Sequence, residues 1–82
     1  MEDKHINVTL RQREVLTLLS QRRLSIGELA SLLGVSYVAA IKIVNRLEQK
    51  HLVKRVGDEW DRRRVFVNLT SAAWSMLNEE SG

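Results

Sequence analysis

The chain has 82 residues, 44% of them hydrophobic and 28% charged, with a net charge of +3 and neither cysteine nor proline. This is one domain's worth of ordinary globular composition, which excludes a disordered segment and a second core. Without thiols there are no disulfides, thiolate metal sites or cysteine nucleophile, and no apolar run reaches signal-peptide or membrane-span length, so a soluble cytoplasmic protein is expected.

Thr9 and Gln12 have the spacing of a capping box, and Leu10, Val15, Leu18 and Leu19 recur at helical spacing. They predict a first helix from Leu10 to Ser20, ended by the polar stretch Gln21-Arg22-Arg23. Ser25 and Glu28 repeat the capping-box spacing and open a short second helix with Leu29, Leu32 and Leu33 on its apolar side. Gly34 is placed to stop it, because glycine enters the left-handed region cheaply. Ser36 then caps a third helix running to about Lys50. Ala40, Ile43, Val44 and Leu47 form its inward stripe, and Tyr37, Val38, Ile41, Lys42 and Asn45 face outward. The short gap between these two helices fits a helix-turn-helix.

Leu52–Val56 and Val65–Leu69 read as short strands around a polar turn, hence a hairpin, and a stretch near Leu24-Ser25-Ile26 is a candidate third strand. Thr70 caps a last helix to about Asn78. The expected architecture is mainly α with a small β-hairpin (α+β), a winged helix-turn-helix. It forms one domain over residues 1–82, with 1–8 and 79–82 as flexible tails.

Positive charge is concentrated in the middle of the chain. Residues 37–56 carry Lys42, Arg46, Lys50, Lys54 and Arg55 against Glu48 alone, whereas Arg62, Arg63 and Arg64 are balanced by Asp58, Glu59 and Asp61. A surface for a polyanion needs such an excess, and a solvated helix face accounts for it equally well. Arg46 and Lys54 are placed to neutralise phosphates. Asp61 and Arg63, two apart, would share one side of an extended strand, where the acid could hold the guanidinium toward a minor groove.

Four segments resemble, in order and spacing, the MarR family of bacterial and archaeal transcription regulators. They are Leu10-Arg11-Gln12-Arg13-Glu14-Val15-Leu16; Glu28-Leu29-Ala30-Ser31-Leu32-Leu33-Gly34-Val35-Ser36; Val44-Asn45-Arg46-Leu47-Glu48 with Leu52-Val53-Lys54-Arg55; and Asp61-Arg62-Arg63 with Leu69-Thr70. The resemblance implies sequence-specific binding of double-stranded DNA in transcriptional regulation. The helix at 36–49 would enter the major groove and the wing at 57–64 would lie on the minor groove or backbone. Ser36, Tyr37, Ala39 and Lys42 match family positions that approach the major groove, and Arg62 matches a further backbone contact beside Asp61 and Arg63. Ala39 and Ile41 would offer only apolar contacts, as to thymine methyls.

The chain departs from the family pattern in several places. MarR proteins are longer, with dimer-forming helices at both ends that are absent here. The sequence therefore reads as a fragment, or as a small protein that dimerises differently or not at all. His51 and Ala73 stand where the family commonly has glycine. The alternative function is a winged-helix module that binds protein through Val38, Ile41 and Trp74. A homodimer or partner protein could use Trp74 and the terminal helices, while Trp60 is expected to shield the base of the wing. Catalytic, metal and cofactor sites are not expected. His5 and His51 are far apart in the chain, no metal-ligand spacing occurs, and there is no glycine-rich phosphate loop. The expected location is the cytoplasm, on the nucleoid when bound to DNA.

Overall fold

The computed structural model describes residues 7–81. His5 and most of the expected N-terminal tail, like Gly82, lie outside the described residues. The elements run α1 (Leu10–Gln21), β1 (Leu24–Ser25), α2 (Ile26–Leu33), α3 (Tyr37–Gln49), β2 (Val53–Gly57), β3 (Val65–Leu69) and α4 (Ser71–Ser81). This is the expected winged helix, with α4 continuing to Ser81 rather than stopping near Asn78.

Both capping boxes form. The Thr9 hydroxyl accepts the Gln12 N–H at 3.0 Å, and the Gln12 side chain accepts the Thr9 N–H at 3.1 Å. At α2 the Ser25 hydroxyl accepts the Glu28 N–H at 3.1 Å while Glu28 accepts the Ser25 N–H at 2.8 Å. Ser36 caps α3 through the Ala39 N–H at 3.0 Å. Each satisfies orphan donors of a first turn, worth about 1 kcal/mol per cap. Gly34 ends α2 with φ 70°, and the Val35 N–H returns to the Ala30 carbonyl at 3.0 Å. That closure leaves Ser36 free to open α3.

The three strands form one antiparallel sheet in the order β1-β3-β2, with Leu24 opposite Val67 and Val53 opposite Leu69. The core joins Val15, Leu16 and Leu19 of α1 to Leu29 of α2, Ala40, Val44 and Leu47 of α3, and Val53 and Val67 of the sheet. Two of the expected apolar stripes are rotated. Leu10 is 86% exposed because it occupies the first helical position, and the inward row is Gln12, Val15, Leu16 and Leu19. Leu32 is 51% exposed because α2 turns Ile26, Leu29 and Ala30 to the core.

His51 links α3 to β2 with φ 62°, a left-handed conformation that glycine adopts more cheaply. The Thr70 hydroxyl donates to the His51 carbonyl at 2.8 Å and the Thr70 N–H to the Leu52 carbonyl at 3.0 Å, tying this corner to the start of α4. Ala73, the other departure from a family glycine, is fully buried.

Candidate nucleic-acid interface

One face of α3 packs on the core through Ala40, Val44 and Leu47, so the helix cannot rotate without opening the core. The opposite face carries Val38, Lys42, Asn45, Arg46 and Gln49, all exposed. Lys42 and Arg46 are one helical turn apart and make no ion pair among the described residues. Ser36 and Tyr37 are exposed at the N-terminal end of the same helix, while Ala39 is half-buried at its edge. The Ser36 hydroxyl uses its oxygen to cap the helix and keeps its O–H as a donor.

Ile41 belongs with the core rather than with the outer face. It is half-buried and packs against the core cluster, leaving Val38, 60% exposed, as the apolar side chain presented outward. The outward assignment fails because Ile41 lies one position from Ala40 and three from Val44, on the flank of the buried stripe.

Two of the other three cations of the central segment are engaged. Lys50 donates to the Gln12 side-chain oxygen at 2.8 Å and to the Asn7 carbonyl, holding the end of α3 against the start of α1. Arg55 of β2 pairs with Glu48 at 3.4 Å and donates to the Asn45 side-chain oxygen. That contact lays β2 along α3, and Lys54, the neighbour of Arg55, is exposed.

The loop between β2 and β3 forms the wing, closed at its base by the Asp58 N–H donating to the Arg64 carbonyl at 3.1 Å. Asp61 and Arg63 do meet, but in a turn rather than on an extended strand. The Asp61 carboxylate accepts the Arg63 backbone N–H at 2.9 Å and its Nε–H at 3.2 Å, and the Arg64 N–H closes on the Asp61 carbonyl at 3.0 Å. A short acid that bonds the backbone two residues on favours a turn over a strand. The Arg63 side-chain hydrogen bond, followed by its backbone N–H, holds the Asp61 carboxyl below its usual pKa. Arg62 is exposed and makes no ion pair among the described residues.

Arg64 turns inward. It pairs with Glu28 at 3.3 Å and lies 5.0 Å from the Phe66 ring centre, against which Arg23 also packs at 4.0 Å. The Ser25 backbone N–H, then its hydroxyl and the Arg64 charge, lower the Glu28 pKa. Glu28 thus caps α2 and anchors the wing's return strand, a link that the capping-box spacing alone did not signal.

Trp60 does not shield the wing's base. It is 91% exposed, with its backbone N–H held by Asp58 at 2.8 Å. Trp74 is partly exposed on α4, beside a cleft formed with Leu19 and Leu69. No set of three or more His, Cys, Asp or Glu side chains able to hold a metal ion occurs among the described residues. Nor is any single described helix long and apolar enough to cross a membrane.

Residues 8–73 match a family described as a winged helix DNA-binding domain. The transcriptional regulator AdcR of Streptococcus pyogenes serotype M6 is 30% identical over 76 residues, covering 93% of this chain and 52% of the regulator. The crystal structure of the transcriptional regulator BldR from Sulfolobus solfataricus superposes with a TM-score of 0.82 at 33% identity, covering 93% of this chain and 55% of that one. The Staphylococcus aureus MepR–DNA complex gives 0.85 at 25% identity, covering 90% and 62%. The chain spans about half the length of the curated relatives it matches.

Proposed function

The chain belongs to the winged helix DNA-binding domain family, of the MarR regulator type, and on that premise we propose that it binds double-stranded DNA sequence-specifically in transcriptional regulation. In this reading α3 enters the major groove. Ser36 and Tyr37 meet the backbone at its first turn, Ala39 supplies an apolar edge, and Lys42 reaches a guanine edge or a phosphate. Arg46 and Lys54 neutralise phosphates beside the groove. Asp61 orients Arg63 toward the adjacent minor groove, with Arg62 on the backbone. The observation that carries the reading is the outer face of α3, where Lys42 and Arg46 are exposed without an acidic partner among the described residues. Cations left uncompensated on one face attract a polyanion, whereas a face built for stability pairs them.

Fluorescence anisotropy with a labelled duplex across a salt series tests this. Removing one phosphate-neutralising cation lowers the slope of log affinity against log salt by about 0.9, so Lys42→Ala and Arg46→Ala should each flatten it by that amount. Slopes equal to that of the unmodified protein would reject the reading. The site of action would be the cytoplasm, on the nucleoid. A homodimer formed through Trp74 and the terminal helices would give two such domains a longer, palindromic site. The competing reading as a protein-binding module keeps Val38 and Trp74 as exposed apolar contacts but loses Ile41 to the core.

A further inference from the structure

A groove of about 510 Å³ runs between the start of α1 and the outer side of α3, lined by Gln12 on one wall and Lys42, Asn45, Arg46, Gln49 and Lys50 on the other. We propose that it is a phosphate site, seating one backbone phosphodiester of the bound duplex and making α1 part of the interface. The inference rests on the DNA-binding reading above and extends it to Gln12, Asn45, Gln49 and Lys50.

The wall on α3 is two parallel rows. Lys42, Arg46 and Lys50 recur every fourth residue, and Asn45 and Gln49 do the same beside them, each step rising about 6 Å along the helix. Among the described residues, no acid lines the groove. The single acid of α3, Glu48, is paired with Arg55 at 3.4 Å on another side of the helix. Three cations with no described acid beside them suit an anion and repel a metal ion.

The neutral groups are set to donate as well. The Gln12 side chain is buried, and its oxygen already accepts from Lys50 at 2.8 Å and from the Thr9 N–H at 3.1 Å. Its NH2 group is left without a hydrogen bond among the described residues. The Asn45 oxygen is likewise taken by Arg55, so its NH2 is the end left to donate. Lys50 spends two bonds on Gln12 and Asn7, and an ammonium has three to give. Cationic and amide donors around a pre-bonded buried amide match the several acceptor oxygens of a phosphate and hold them in a fixed orientation.

Gln49→Glu tests this, because Gln49 is exposed and the change preserves helix propensity while placing a carboxylate in the groove. Gln21→Glu, at the far end of α1, makes the same change of net charge outside the groove. Matching melting curves establish that both variants fold. Repelling one phosphate should cost Gln49→Glu about tenfold in duplex affinity at low salt and about 0.9 in salt slope, against less than about threefold for Gln21→Glu. Gln49→Lys should tighten binding. Equal weakening in the two glutamate variants, with the unmodified protein still binding duplex, would overturn the groove site and leave the DNA-binding reading intact. Amide NMR shifts at Gln12 and Gln49 that follow inorganic phosphate but not duplex would overturn the assignment to the DNA backbone. Failure of the unmodified protein to bind any duplex at low salt would overturn both readings.

Discussion

The outer face of α3 and the wing both carry runs of basic residues, yet the structure treats them in opposite ways. Lys42 and Arg46 stand on a helix clamped to the core by Ala40, Val44 and Leu47, and no carboxylate among the described residues answers them. On the wing, Arg63 is held by Asp61 and Arg64 by Glu28, so of the three successive arginines only Arg62 has no ion pair among the described residues. Rigid backbone with free charge is thus set against a loop whose charge mostly holds its own shape. Counting charges along a chain cannot make this distinction, because it depends on which acid each cation faces.

Loosening the clamp should have the largest effect. Leu47 is fully buried, so Leu47→Ala should cost about 2–5 kcal/mol of stability through reduced burial and the cavity left behind. Urea denaturation measures it directly. A loss under about 1 kcal/mol would mean that α3 is not fixed as described.

The next contrast is between cations of the two regions. Arg46→Ala should reduce the salt slope of duplex binding by about 0.9, whereas Arg64→Ala should leave it unchanged, because Arg64 is occupied by Glu28 and Phe66. Its removal should show as altered amide shifts through the wing and a stability change of about 0–1 kcal/mol, the range for an exposed ion pair. A slope change equal to that of Arg46→Ala would place Arg64 on the DNA.

Much of the framework was legible in the sequence because it is set locally. The caps at Thr9, Ser25 and Ser36 and the stop at Gly34 depend on residues within five positions of one another, and all form as read. What escaped was set by tertiary neighbours. Leu10, Leu32 and Ile41 have the right apolar character, but the core's placement decides which flank of a helix is covered. The groove wall at Gln12 was hidden for the same reason. Its capping role could be read from spacing, whereas its bond to Lys50 spans 38 residues. The wing was half legible. The Asp61–Arg63 pair was expected on a strand, and the competing tendency of aspartate to form a turn decided its geometry.

Acidity separates the two regions further. The pKa values of Glu28 and Asp61 are both lowered in the folded chain, so each contributes stability that is present above its ordinary value and lost as pH falls through the folded one. Stability should therefore fall on acidification below the ordinary carboxylate range. Glu28→Gln should flatten that acid limb in thermal melts taken from about pH 6 to about pH 3. Asp61 is half-exposed and holds only a local turn, so its share should be small: Asp61→Asn should move the Arg63 amide resonance while shifting the melt much less than Glu28→Gln does. A flattened acid limb in Asp61→Asn but not in Glu28→Gln would reverse these roles.

Trp60 gives the smallest expected effect and the sharpest check on the wing. Apolar surface contributes to folding only in proportion to what is removed from water, and this indole is 91% exposed. Trp60→Ala should therefore shift stability by less than about 0.5 kcal/mol, as for an ordinary surface site. Trp74, which lines the cleft with Leu19 and Leu69, has packing to lose and should be the costlier of the two tryptophans to truncate. In a Trp74→Phe background Trp60 is the only tryptophan, and water around the indole should give red-shifted emission that acrylamide quenches freely. Blue-shifted, protected emission, together with a melt lowered by Trp60→Ala, would mean that the wing folds back onto the body. The arginines of the wing would then be carried away from the outer side of α3 proposed to meet DNA, and the contrast between a rigid helix and an outstretched wing would fail.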